Sequence, residues 1–175
     1  MTHTIITLQS VQKPKSPLDI QMLRNFLHLD CDDGDQELLE EFSIAAMEHL
    51  EQIMNKSIIK RQWKVVYGNF YDNKIELPMG PVVGIESVTL KNIGSLTKQV
   101  DVGLYGNSGN RLWFSCMEYG WDMVEVIYVA GMAESFAEVP AMIKESLLQT
   151  VARMYEGSRV HQSFDELSNF FEYKI

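Results

Sequence analysis

The residues best equipped for chemistry lie between His28 and Glu41, in the stretch HLDCDDGDQELLEE. Asp30, Asp32, Asp33, Asp35 and Glu37 crowd around Gly34 there, and His28 and Cys31 add softer donors. Two metal chemistries compete for this order of residues. A calcium loop of the EF-hand type needs acids at its first, third and fifth positions and a glycine at its sixth. Setting Gly34 sixth puts Asp33 fifth, but Leu29 and Cys31 fall first and third, and neither suits a hard cation. A zinc site drawn from His28, Cys31 and His49 lacks a fourth ligand and the usual paired spacing. The stretch reads instead as the acidic start of a helix. Asp33 or Asp35 would be the N-cap, with Asp35 and Glu37 favouring the positive end of the helix dipole. No metal and no cofactor is expected.

Covalent and phosphate chemistry find no better footing. The chain carries no GxSxG, HExxH, GxGxxG or P-loop pattern. GNSGN at 106–110 is a turn between strands, because no helix follows it to receive a phosphate. Serines, histidines and acids are scattered, so an enzyme is not expected; an unrecognised hydrolase would need a concave pocket with perturbed titratable groups. Trp63, Tyr67, Phe70, Trp113, Phe114 and Trp121 fall in strands and turns, where aromatics build sheet core and hairpin pairs. A base-stacking platform would interleave them with Arg and Lys, and only Lys60, Arg61 and Lys64 cluster nearby.

The formal net charge of −9 argues against gripping nucleic acid through its phosphates. It does not exclude a protein that DNA must slide past, since a like-charged wall repels phosphates and offers no sticking points. At 175 residues and 46% hydrophobic content, the chain can close a single domain around a real core. No apolar run is long enough to span a bilayer, so no membrane partner is expected. The opening MTHTIITLQSVQKPKSP does not read as a secretory signal. Cys31 and Cys116 lie apart without a CxxC pattern, and a reduced intracellular setting is the expectation.

The elements that must position these residues fall in a clear order. Residues 1–16 form an arm in which Thr4 to Leu8 could add as an edge strand. Ser16 as N-cap and Pro17 at the first helical position start a helix over 17–28, with Leu18, Met22, Leu23, Phe26 and Leu27 at helical spacing. The helix over 35–55 carries Leu38, Leu39, Phe42, Ala45, Ala46, His49, Leu50 and Ile53 as its apolar stripe. Glu37, Glu40, Glu41, Glu48 and Glu51 fall opposite, and no Lys or Arg occurs between Arg24 and Lys56. Ile44 lies inside that acidic face and Met47 at its margin.

From about residue 58 the period changes from helical to two. QWKVVYGNF, KIELP, VVGIESVTL, QVDVGLYG, RLWFS and MVEVIYV read as strands, separated by turn chemistry in FYDNK, PMGP, NIGS, GNSGN and EYGWD. Val124, Val126 and Tyr128 alternate with Glu125 and Ile127, one face well buried and the other partly covered. A last helix over 139–156 buries Ile143, Leu147, Val151 and Met154, with Leu148 and Tyr155 widening the stripe, and Gly157 ends it. The segment HQSFDELSNFFEYKI follows. Its Phe164, Leu167, Phe170, Phe171 and Tyr173 are too apolar for a free tail, so it is expected to dock.

The fold class is therefore α+β. A small bundle of about three main helices carries a β-rich antiparallel insertion, 58–130, between the second and the last helix. The domain plan is an arm over 1–16, a principal domain over 17–157 and a docking tail over 158–175. Ile44, Met47, Phe164, Leu167, Phe170, Phe171 and Tyr173 are the candidate contact residues with copies or partners. They give two distinct apolar patches.

In this order the pieces resemble the small head–tail connector (adaptor) proteins of tailed bacteriophages and prophages. MLRNFLHLDCDDGDQELLEEFSIAAMEHLE looks like their first helix, acidic break and second helix, and KSIIKRQWKVV like the exit into the first strand. IELPMGPVVGIESVTL looks like their "LPxGPV…SV" strand pair. VEVIYVAGM and EVPAMIKESLLQTVARMYEGS resemble their last strand, Gly turn and closing helix. The likeness covers residues 17–160.

What the resemblance implies is structural. Subunits form a homo-oligomeric ring, typically a dodecamer, beneath the portal protein; an isolated chain can remain a monomer. The ring extends the DNA channel without specific DNA binding and docks a neck or tail completion protein. It would reside in the virion neck, and in the cytoplasm of the bacterial host before assembly. The competing class is a binding module that captures a peptide along an exposed β-edge.

Overall fold

The computed structural model describes residues 4–12, 16–29, 36–68, 73–94, 96–115 and 120–157. The acidic stretch 30–35, both cysteines, Phe70 and the tail 158–175 lie outside the described residues, as do the expected N-caps Asp33 and Asp35.

Three helices share one core: α1 (Ile20–Leu27), α2 (Gln36–Met54) and α3 (Ala141–Tyr155). Leu18, Leu23, Leu39, Ala46, Met47, Leu50, Ile143, Leu147 and Val151 meet inside it. The first helix starts later than expected. Its N-cap is Asp19, whose carboxylate accepts the N–H of Gln21 at 2.7 Å and of Met22 at 3.4 Å. A carboxylate that takes two orphan N–H groups and faces the positive helix end outcompetes the Ser16 hydroxyl. Ser16 instead sits 3.0 Å from the Ser43 hydroxyl, pinning the lead-in chain to α2. The last helix ends as expected, with Gly157 in the left-handed region at φ +71°.

The phase of α2 differs from the expected one by about one residue. Its buried residues are Leu39, Ser43, Ala46, Met47, Leu50 and Glu51. Leu38 is 40% exposed and Ile53 44% exposed, while Phe42 and Met154 pack only at the margin of the core. Ala45 is exposed, and His49 is half-buried and off the core stripe. Apolar residues nearly encircle this helix, so composition alone leaves the facing side open. Small Ser43 and Ala46 admit neighbouring helices closely, and that packing chooses the face.

The strands form two antiparallel sheets. The larger has the order β1 (Thr4–Ser10), β2 (Arg61–Gly68), β8 (Met123–Ala130), β4 (Val82–Lys91) and β5 (Thr97–Gln99). The smaller has the order β3 (Lys74–Glu76), β7 (Arg111–Phe114) and β6 (Tyr105–Ser108). The expected strand QVDVGLYG is interrupted: a 3-10 turn at Val102–Leu104 separates β5 from β6 and sends them to different sheets. Trp63, Val65, Tyr67, Val88, Val124, Val126 and Tyr128 from the large sheet close a second core with Ile75, Leu112 and Phe114 from the small one. The expected alternation of β8 holds throughout. The Tyr128 hydroxyl donates to Pro78 O at 2.7 Å, and the Tyr67 hydroxyl donates to Glu76 O. Burial pushes both phenols above their usual range. Of the other aromatics, Trp121 is half-buried and Trp113 exposed.

Residues 55–60 join the two cores by running from α2 into β2. Lys60 N–H donates to Ala133 O at 2.8 Å, and Ala133 N–H returns to Ile58 O at 3.1 Å. Gly131 makes this closure possible, since a Cβ there would lie 2.4 Å from Lys60 Cα and N.

Candidate assembly surface

The junction holds the least expected feature of the chain, a buried ion pair. Glu51 was expected on the solvated face of α2, yet none of it is exposed. Its Oε2 accepts from Arg61 Nη2, and its Oε1 accepts the Ile58 N–H at 2.8 Å. Ser57 stands 3.4 Å from Oε1 and accepts the Trp63 indole N–H at 3.2 Å. Burial raises the Glu51 carboxyl above its ordinary range; the Arg61 charge and the hydrogen bonds from Ile58, Arg61 and Ser57 oppose the shift without cancelling it. The Arg61 side chain is 8% exposed and lies 4.5 Å over the Trp63 ring. Its Nε and Nη1 are buried with no acceptor among the described residues.

Beside this pair opens a cleft of about 240 Å³. Leu8, Gln9 and Ser10 of β1 form one wall, Glu48, Glu51 and Gln52 of α2 the other, and Arg61 and Trp63 lie between them. The cleft adjoins a free sheet edge, because among the described residues β1 pairs only with β2. β1 reads TIITLQS, without a charge, and Ile5, Ile6 and Leu8 are exposed on it. Near the opposite edge, Ile93, Leu96, Val102 and Leu104 are exposed around β5 and the turn after it. Alternation on β1 gives a short edge strand, but sequence does not tell which edge stays open.

The candidate contact residues separate. Met47 is 1% exposed and belongs to the helical core, so the expectation of an apolar residue at the margin of an exposed face is corrected. The same rotation of α2 that turns Leu38 and Ile53 outward turns Met47 inward. Ile44 is half-buried, with Glu37, Glu41 and Glu48 exposed on the same helix. Phe164, Leu167, Phe170, Phe171 and Tyr173 lie outside the described residues. On the outer face of the large sheet, Lys64 and Lys91 each stand 2.7 Å from Glu125.

This architecture has relatives among solved particles. A chain in the neck of an empty gene transfer agent particle, computed with C6 symmetry, superposes with a TM-score of 0.72 at 20% identity, covering 90% of this chain and 87% of that one. The chain has the fold of a neck protein. A chain from the neck of the native gene transfer agent particle, computed with C12 symmetry, gives 0.70 at 20% identity over 90% and 86%. One from the virion of the native particle gives 0.70 at 20% identity over 90% and 87%. No protein-family model matches the chain, and no curated protein does. At this identity the neck likeness carries the fold.

Proposed function

We propose that the chain is a structural subunit of a phage-type head–tail neck. It assembles into a homo-oligomeric ring beneath the portal protein, extends the DNA channel and docks a neck or tail completion protein. The observation that carries this reading is the neck fold, matched over nine-tenths of the chain. The net charge of −9 supports it, because an acidic channel wall lets DNA move without specific binding. Its role is structural rather than enzymatic, in the virion neck after assembly and in the host cytoplasm before.

The subunit interface in this reading joins the α2 face around Ile44 to the apolar tail or the β-region of the next copy. Phe164, Leu167, Phe170, Phe171 and Tyr173 supply the tail contacts, and Met47 drops out as a core residue. Ile44→Glu and deletion after Gly157 test this directly, each scored for folding by circular dichroism and for docking onto assembled portals. Folded variants that no longer dock support the interface; variants that dock like the parent remove it. The open β1 edge also favours a second reading, a module that captures an extended peptide. In that case β1 peptides would bind the monomer and portals would not.

A further inference from the structure

The open edge of β1, the adjoining cleft and the unused donors of Arg61 have one occupant in common. We infer that residues 171–175 of a second copy add as a strand to the free edge of β1 and place Tyr173 in the cleft over Arg61. This deepens the ring reading and rests on it, since it names the receptor for the tail of the neighbouring subunit.

The register shows which backbone groups are free. Val11 N–H donates to Gln62 O, and Ser10 stands opposite Trp63, Gln9 opposite Lys64 and Leu8 opposite Val65. Hydrogen-bonded pairs alternate with non-bonded ones along an antiparallel ladder. The N–H and C=O groups of Leu8 and Ser10 therefore face away from β2. Both residues line the cleft. An uncharged apolar edge of this kind is a template for strand addition.

The segment FEYKI has the matching pattern. Phe171, Tyr173 and Ile175 alternate with Glu172 and Lys174, so as a strand it is apolar on one face and charged on the other. Its two side-chain charges, of Glu172 and Lys174, are of opposite sign. On the cleft side, Tyr173 would bring an aromatic ring beside Leu8 and Trp63. Its hydroxyl oxygen would accept from Arg61 Nε or Nη1, whose burial without an acceptor is costly. Glu48, on the same cleft, would take the phenolic proton in a hydrogen bond.

The copy is taken as a neighbour because the ring reading brings one subunit's tail beside the next, and the cross-link test below separates that contact from one within the chain. The residues just before α3, around Ala133, bond to 58–60, and α3 then runs 15 residues, about 22 Å, before the tail begins. Residues 157–170 can span about 46 Å when extended, enough to reach a neighbour in a ring.

The test uses the full chain with Cys31→Ser, Cys116→Ser, Gln9→Cys and Lys174→Cys, assembled on portals and treated with a short bismaleimide. Denaturing gels then read connectivity and electron microscopy reads the rings. The expected result is a ladder of covalent multimers. Adding Ser10→Pro, which removes an outward N–H and leaves the β2 ladder intact, lowers the ladder about tenfold. Tyr173→Phe lowers it in the same direction. Rings without a ladder overturn the inference and leave the ring reading standing, as does an intrachain cross-link that shifts only the monomer. An unchanged ladder with Ser10→Pro also overturns it. A chain that yields neither rings nor ladder overturns both.

Discussion

Arg61 at the start of β2 reaches back to Glu51 near the end of α2 and ties the helical core to the sheet core. The pair is buried on both sides, so its stability depends on both partners being present. Glu51→Leu leaves a buried guanidinium unpaired and should cost about 3–5 kcal/mol, and Arg61→Leu about the same. The double Leu variant should recover most of either loss, because two apolar chains then replace two desolvated charges. Urea unfolding of all four proteins measures the coupling. Additive single losses would show that the pair does not act as a unit.

Met47 and Ile53 report the rotation of α2 independently. Met47→Ala should cost about 2–5 kcal/mol, since Met47 fills the helical core. Ile53→Ala should cost well under half of that, about 1 kcal/mol or less, because Ile53 is 44% exposed. Equal losses in thermal unfolding would contradict the assigned face.

Gly131→Ala should destabilise by about 1–3 kcal/mol, because the new Cβ meets the Lys60 backbone at 2.4 Å. Hydrogen exchange should locate the damage at residues 57–60 and 131–133, where the two crossing segments exchange bonds. Loss of protection spread evenly through the helices would point to another cause.

Glu125 should make stability depend on pH. Burial works to raise its carboxyl pKa, but hydrogen bonds and charge from Lys64 and Lys91 together outweigh it, so the group is held below its ordinary 4.5. A depressed carboxyl stabilises the fold above the unfolded value, and that contribution is lost as pH falls through the folded value. Glu125→Gln should therefore be about 1 kcal/mol less stable than the parent at pH 7. The gap should close in acid, below 4.5. Glu51 runs the other way: its raised carboxyl favours folding at low pH, and that part is lost as pH rises from 4.5 through the folded value. Denaturation from pH 3 to 8 separates the two; a Glu125→Gln gap that ignores pH would contradict the Lys64–Glu125–Lys91 arrangement.

The sheet strands and α3 were legible because each carries one dominant period. Val124, Val126 and Tyr128 alternate without exception, and Ile143, Leu147 and Val151 keep one face. The face of α2 was not, because its partner Arg61 lies on another element and no periodicity records a charge neutralised across ten residues. The split at Val102–Leu104 was equally hidden, since QVDVGLYG has strand composition throughout. The resemblance to head–tail connectors pointed to the neck fold that the superpositions give, while the cleft and the free β1 edge emerged only in three dimensions.

Native mass spectrometry of the full chain, alone and with assembled portal rings, tests the central proposal most directly. The proposal requires a closed ring of identical copies on each portal, twelve if it follows the C12 symmetry of the similar neck. A chain that stays monomeric and unbound at every concentration, with its portal present and folded, would contradict it.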